Sequence, residues 1–379
     1  MDILKKPAMR RRFLRGVGAG AGGVAAMSFP MIAKAQPSPI ALRLHGAWSA
    51  QDIFHEYALD FCKKINDMAG ARLRVEMYPA GAVVKPRDLL DAVHKGVIDG
   101  CHAAPAYWHA RDTAFSLFGA GPALGMDAHG FLAWMRYGGG AELFTELIHR
   151  QVNLDVTPFF TGPMPPQPLG WYKKPVLSSL GFKGMKVHAS GLAAEFYREL
   201  GARVDTVRDD DLAAALKDGR LDSAEFNNAS SSRGLGLPGA FKVGMLQSYH
   251  RTSESFVVLL NRKKFEALPA ELQAIVRHAA DAASADMSWK ALHRYPDDQA
   301  WMRDNAGVSF QKTPAEVLEA QMRAWAAVVA RHVKTNPMFE RVWRSQQAWA
   351  RRTVAWSREN GVDSAAAYNF WFGAQKRGK

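Results

Sequence analysis

The sequence predicts an α/β fold of two lobes facing each other across a cleft. Three observations carry this expectation. Residues 40–104 read as β-α-β-α-β, and the same texture returns between Trp171 and Tyr249. Between them lies Pro158–Gly170, crowded with Pro163, Pro165, Pro166 and Pro168, which reads as a crossing from one lobe to the next. The chain has 379 residues, and at roughly 100–200 residues per domain two domains are expected.

The first 35 residues read as an address rather than as structure. Arg10-Arg11-Arg12-Phe13-Leu14 followed by Arg15 has the arrangement of a twin-arginine export signal. Gly16–Ile32 is apolar but rich in Gly and Ala, short of the roughly 20 strongly apolar residues of a membrane span. Ala33-Lys34-Ala35 offers small residues for cleavage before Gln36, which is not a lipid-bearing cysteine. Export to a bacterial periplasm follows as an expectation.

Leu42 and Leu44 alternate within Ile40–Gly46, the first strand. Ile53, Tyr57, Phe61 and Ile65 step by four through a helix over Ala50–Ala69, which Gly70 ends. Leu73, Val75 and Met77 form a second strand, Pro86 opens a helix running to Gly96, and Ile98–Ala104 is a third strand of a mainly parallel sheet. In the second region the expected order is strand Met185–Val187, helix Leu192–Leu200, strand Arg203–Val207 and helix Asp211–Asp218. The apolar run Ser255–Leu260 reads as a buried strand returning toward the first lobe, and from Pro269 onward the pattern is helical, broken near Pro314 and Pro337. The resulting division is 36–160 for lobe 1, completed by 252–336, then 161–251 for lobe 2 and 337–379 for a helical C-terminal segment.

Composition narrows function. Hydrophobic residues at 48% and charged residues at 22% describe a globular chain and exclude disordered, collagenous and disulfide-dense classes. The formal charge of +13 needs correcting, because residues 1–35 supply +6 of it (seven bases against Asp2) and the remainder carries +7. A nucleic-acid partner is therefore not indicated. Cys62 and Cys101 form no CxxC motif; two cysteines allow one disulfide, but two free, buried thiols are the reading preferred.

Catalytic signatures fail on inspection. After His55-Glu56 the second histidine of HExxH is replaced by Leu59, and GxSxG and the P-loop are absent. Gly234, Gly236 and Gly239 match GxGxxG, but follow a polar run and precede Pro238, so they read as a loop. Asp209-Asp210-Asp211 reads as an N-cap and first-turn acids, and Arg262-Lys263-Lys264 as a solvated loop. One constellation remains: Gln167 and Trp171 on the crossing, His188 at one strand end, and Glu225-Phe226-Asn227-Asn228 at another. Ligands of α/β sheets collect at carboxyl strand ends. A carboxylate, an amide and main-chain carbonyls there suit a hard cation such as Na⁺ or Ca²⁺. Against this stands the simpler reading of a surface Glu225 and turn asparagines.

From about Leu42 to at least Arg277 the chain resembles a solute-binding protein of a TRAP (tripartite ATP-independent periplasmic) transporter. The matching pieces are Tyr78-Pro79-Ala80-Gly81, Lys95-Gly96-Val97-Ile98-Asp99, Phe182-Lys183-Gly184-Met185-Lys186, Gly219–Glu225 and Asn261–Phe265 with Leu268-Pro269. Tyr107-Trp108, Glu225–Asn228 and Ser248-Tyr249-His250 resemble most the branch that binds 2-oxo acids. The resemblance implies a periplasmic-binding-protein-like fold with central mixed sheets, and a small organic acid delivered to a membrane permease. It implies a cation held by Gln167, Glu225 and the Phe226 carbonyl, with Tyr107, Trp108, His188, Asn227 and His250 as further ligand-site residues. A non-enzyme follows. The rivals are a hydrolase or lyase using His188, Glu225 and Asp222, and a protein presenting its ligand to a sensor.

One departure stands out. Where the family places a carboxylate-gripping arginine after Lys186-Val187, this chain has His188. A guanidinium is always charged and forks onto a carboxylate, whereas imidazole is smaller and near-neutral at pH 7. Either His188 is protonated beside an anion, or Arg233 or Arg251 substitutes, or the ligand has changed; a changed ligand is the reading favoured here. At the C-terminus, Phe339, Trp343, Trp349, Trp356, Phe370, Trp371 and Phe372 form an aromatic surplus that suggests an interface, or packing back on the chain's own lobes; the resemblance implies a homodimer through C-terminal helices.

Overall fold

Residues 38–207, 209–251 and 253–373 are described by the structure, a computed structural model. Residues 1–37, which hold the expected export signal, Arg208, Thr252 and the last six residues lie outside that set. Alternating Leu42 and Leu44 bury one face of strand β1 (Ile40–Gly46), which pairs in parallel with β2 (Leu73–Tyr78) and β3 (Gly100–Ala103). Between β1 and β2 runs helix Ile53–Ala69. Its N-terminus is capped by Asp52, whose carboxylate accepts from the Phe54 amide at 3.0 Å, and its four-residue apolar stripe is buried. The helix expected from Pro86 divides into a 3₁₀ turn, Pro86–Asp88, and helix Leu89–His94.

The proline-rich crossing differs from expectation in an instructive way. Strand β4 (Val156–Met164) runs into it, through Pro158 and Pro163. In the first sheet, ordered β2-β1-β3-β10-β4, this strand is at the edge, where missing N–H donors are tolerated. Its neighbour β10 is the return strand (Glu254–Asn261), antiparallel to both β3 and β4, so the sheet is mixed. The apolar run near residue 257 therefore does bring the chain back.

The second sheet takes β5 (Gly170–Tyr172), β6 (Lys186–His188), β7 (Arg203–Asp205), β8 (Ser223–Ala224) and β9 (Val243–Leu246). Its order is β11-β9-β5-β8-β6-β7, and β11 (Ser309–Lys312) is a strand the sequence reading treated as helical. Four residues with Thr313-Pro314 behind them carry little periodicity, and β11 is fixed instead by its parallel pairing with β9. Helices Gly191–Glu199 and Asp209–Lys217 cover this sheet. The glycine triplet is not a plain loop: helix Ala229–Gly234 and the turn Leu237–Ala240 flank a left-handed Gly236. Nor is Arg262-Lys263-Lys264 a loop. It opens helix Arg262–Glu266, capped by Asn261, with Arg262 paired to Asp155 and Lys264 to Asp99.

Four further helices follow: Ala270–Ala306, Ala315–Thr335, Pro337–Asn360 and Ser364–Phe372. The first half of Pro337–Asn360 packs on the body through Met338, Phe339 and Val342, while none of the described residues beyond Ala350 is buried. Cys62 and Cys101 are free and buried, and burial pushes both thiols up to about 12. No helix of the described residues is long and apolar enough to cross a membrane.

Candidate functional site

Strand register assembles the site. His188 ends β6 opposite Ala224 of β8, and the Glu225 amide donates to the His188 carbonyl at 3.0 Å, so two parallel strand ends set these side chains next to each other. The crossing passes tightly behind: at Gly170, φ is +142° and a Cβ would sit 2.7 Å from the Ala224 carbonyl, which only glycine avoids. The Gln167 amide donates to the Arg251 carbonyl at 3.0 Å, tying the outgoing crossing to the return segment. Gln321, buried on helix Ala315–Thr335, fixes that segment further. Its Oε1 accepts from the Tyr249 amide at 2.8 Å and from the Ser248 hydroxyl at 3.0 Å.

These constraints place three ionisable groups in contact. Arg251 Nε stands 3.0 Å from Glu225 Oε1, and His250 Nε2 stands 3.6 Å from the same oxygen. Burial alone would raise the Glu225 carboxyl, but Arg251, His250 and His188 outweigh it and hold the group down at about 2. Burial lowers His250 against the pull of Glu225. The charges in this cluster are therefore a carboxylate and a guanidinium, with a neutral imidazole.

The cluster forms one wall of a cavity of about 270 Å³. His188, Glu225, Phe226, Asn227 and Arg251 contribute to that wall. The opposite wall, from the first lobe, offers Trp48, Phe54, Tyr107 and small alanines, including Ala106 and Ala120. Behind that wall lies a buried histidine kept neutral: Trp48 Nε1 donates to His102 Nδ1 at 2.8 Å, and His102 Nε2 lies 3.0 Å from Thr161 Oγ1. Burial pushes His102 down to about 3. Asp52 also borders the cavity, where its Oδ1 accepts from Ser231 Oγ at 2.8 Å. Asn228 caps the helix carrying Ser231, so one hydrogen bond joins helix N-termini from the two walls.

The sequence-derived residues fall into two groups. Tyr107, His188, Glu225, Phe226 and Asn227 line the cavity. Gln167 stands behind the wall, its Nε2 donating to Asn227 Oδ1 at 3.4 Å, and lines a second cavity with Trp171 and Asn228. His250 reaches Glu225 from behind and does not line the cavity, and Trp108 packs on Phe115 with ring centroids 5.7 Å apart. Asp222, which a catalytic reading needed here, pairs with Lys173 at 3.2 Å and accepts from the Lys186 amide at 3.0 Å. Arg233, one of two alternative bases, is bound to Asp298 at 2.7 Å and stacked on Trp301. Sequence reading missed Trp48, Asp52 and Gln321. Only Asp52 left a signal, as a cap residue before an apolar helix.

Donor chemistry at this wall suits a hard cation: a carboxylate held ionised, the Asn227 and Gln167 amides, and a main-chain carbonyl at Phe226. Among the described residues no three His, Cys, Asp or Glu gather as a metal cluster. A cation here would complete its shell with water, or with the oxygens of a bound ligand.

Comparison with known proteins gives a consistent picture. The family model for bacterial extracellular solute-binding protein, family 7, matches residues 44–336. A monocarboxylate 2-oxoacid-binding periplasmic protein of Nostoc sp. (strain PCC 7120) is 25% identical over 301 residues, 79% of this chain and 80% of that protein. Among solved structures, a TRAP transporter solute-binding protein of Bordetella bronchiseptica RB50 superposes with TM-score 0.81 at 22% identity, covering 89% of this chain and 98% of that one. It is a mixed-occupancy dimer with calcium and picolinate in one site. A TRAP periplasmic solute-binding protein of Colwellia psychrerythraea, with calcium and pyruvate, gives TM-score 0.79 at 25% identity over 88% of this chain and 100% of that one. One of Pseudoalteromonas atlantica T6c holds sodium and pyruvate, with TM-score 0.79, 24% identity, and coverage of 88% and 99%.

Proposed function

The chain belongs to the bacterial extracellular solute-binding proteins of family 7, and on that premise we propose that it is the periplasmic receptor of a TRAP transporter for a short 2-oxo monocarboxylate. Exported by the twin-arginine signal in residues 1–35, it captures the acid in the cleft between 36–160 with 252–336 and 161–251, and delivers it to the membrane permease. No bond is made or broken. The observation that carries the reading is the ionised, buried Glu225 on a cavity of about 270 Å³, a space for a small ligand. Glu225, the Phe226 carbonyl and Gln167 hold a Na⁺ or Ca²⁺ whose remaining partners are the ligand's carboxylate and keto oxygens. Such a cation offsets the charge of Glu225 and orients the ligand. Tyr107 and Asn227 contact the acid directly.

The test is thermal unfolding against a panel of 2-oxo acids, hydroxy acids, dicarboxylates and aromatic acids, with and without Na⁺ and Ca²⁺. Saturation at about 100 times Kd adds ~2.7 kcal/mol, a visible shift in midpoint. A shift with a short 2-oxo acid that grows with the cation supports the reading; no shift with any carboxylate sinks it.

The same reading extends to a homodimer. Helix Ser364–Phe372 buries no residue, and Tyr368, Phe370, Trp371 and Phe372 are each more than 60% exposed. An apolar groove of about 710 Å³ lined by Leu124, Met322, Trp325, Val329, Val333 and Trp343 lies elsewhere on the chain. The occupant is that helix of a second copy. Deleting residues 361–379 is expected to convert a dimer into a monomer in light scattering; an unchanged mass would refute this.

A further inference from the structure

The family arginine is missing at 188, yet a different arginine lines the same cavity. We propose that Arg251 serves two partners in turn: it is the counter-ion of Glu225 in the empty cleft, and it grips the ligand's carboxylate once a cation has taken over Glu225. The inference rests on the organic-acid reading above and specifies how this chain carries it out.

Four observations lead here. Arg251 Nε lies 3.0 Å from Glu225 Oε1, with the two side chains only 8% and 6% exposed. No other lysine or arginine lines the cavity among the described residues. Arg233 is committed to Asp298 and Trp301, and its side chain is 40% exposed. The main chain of Arg251 is anchored, because its carbonyl accepts the Gln167 amide; an exchange of partners therefore requires motion of the side chain alone.

Charge decides the order of events. The carboxylates of Glu225 and Asp52 border the cavity with a single guanidinium between the lobes. An organic anion entering alone would add negative charge to a poorly hydrated space, which is costly. Entering with Na⁺ it adds none and with Ca²⁺ one positive charge, and the cation's attraction to Glu225 loosens the carboxylate's hold on Arg251. The guanidinium has five N–H donors in a planar fork, a shape matched to the incoming carboxylate and unavailable to His188. The ligand is thus held from the return crossing at 251 instead of the β6 strand end at 188.

The experiment is calorimetric titration of the metal-stripped protein with CaCl₂ alone, and then with pyruvate in saturating calcium. Arg251→Gln is expected to weaken pyruvate binding at least tenfold while leaving calcium affinity unchanged or higher, since a competitor for Glu225 is gone. Adding His188→Arg to that variant is expected to recover most of the loss. A merely structural arginine would lose calcium and pyruvate affinity together, with no rescue. Should Arg251→Gln fail to fold, Arg251→Lys keeps the charge without the fork, and a threefold or greater loss of pyruvate affinity at unchanged calcium affinity is expected. Pyruvate affinity within twofold of wild type in a folded Arg251 variant would overturn the proposal on its own. If wild-type protein binds neither pyruvate nor another 2-oxo acid with any cation, the functional reading fails and this inference with it.

Discussion

The two walls of the cleft each bury a histidine and use it differently. On the first-lobe wall His102 is closed between Trp48 and Thr161, a neutral ring whose hydrogen bonds are satisfied by uncharged partners. On the second-lobe wall His250 stands behind a carboxylate and a guanidinium in contact. The first wall presents a mostly apolar boundary that carries Asp52; the second presents a buried charge pair. On the proposed function, one cavity divides its work, with size read mainly by one wall and ionic character by the other. The contrast also shows why a buried ionic pair belongs on only one side: each charge taken from water needs a partner, and a second pair would add desolvation cost without improving recognition of a ligand with one carboxylate.

The comparison is broken most severely at Glu225. Glu225→Gln leaves the Arg251 charge buried without its partner, and removing one member of a buried pair costs about 3–5 kcal/mol. The expected outcome is a large fall in melting temperature measured without ligand, together with loss of any cation-dependent shift. A variant that melts like wild type would mean that Glu225 and Arg251 do not share a buried charge pair.

Acid separates the walls by pH. His102 is pushed from 6.5 down to about 3 in the folded protein, so the unfolded chain takes up its proton first as pH falls below 6.5. Glu225 is held at about 2 against an ordinary 4.5, so its contribution is complete above 4.5 and is lost as pH falls toward 2. Each group adds a slope of about 1.4 kcal/mol per pH unit within its window. Chemical unfolding as a function of pH is expected to show stability declining from pH 6.5 and declining faster below 4.5. His102→Asn should flatten the upper window, and Glu225→Gln the lower one. A His102→Asn curve parallel to wild type above pH 4.5 would show that the neutral wall does not titrate.

The smallest expected effect is on the apolar wall itself. Ala106→Leu adds three carbons facing the cavity and is expected to weaken 2-oxo acids of five or six carbons about tenfold while changing pyruvate affinity less than threefold, as discrimination of even one methylene is worth about 1–3 kcal/mol. Equal losses for short and long acids, measured by competition, would assign this wall a role beyond size.

Much of this layout was legible from the residues, and the gaps have physical causes. The strands around Leu42, Val75 and Val258 declare themselves because one or both faces are buried, which imposes a pattern on the side chains. Strand β11 does not, since four residues at a sheet edge carry almost no pattern. The prolines at 158 and 163 read as part of a crossing between lobes, and an edge strand accepts them as well. Within the site, His188 and Glu225 could be found as strand ends. The contact between Glu225 and Arg251 could not: they are 26 positions apart, and meet only because the return segment is pinned by Gln167 on one side and Gln321 on the other. Gln321, on a helix 72 residues beyond the Tyr249 amide it accepts from, left no local trace at all.

The central claim is that the charged wall reads an organic acid together with a cation. The most direct measurement is the affinity for pyruvate by calorimetry in EDTA and in calcium, on wild-type protein and on Glu225→Gln. Wild-type protein is expected to bind at least tenfold more tightly in calcium, and Glu225→Gln is expected to lose that gain. Equal affinity in EDTA and calcium, unaffected by Glu225→Gln, would contradict it.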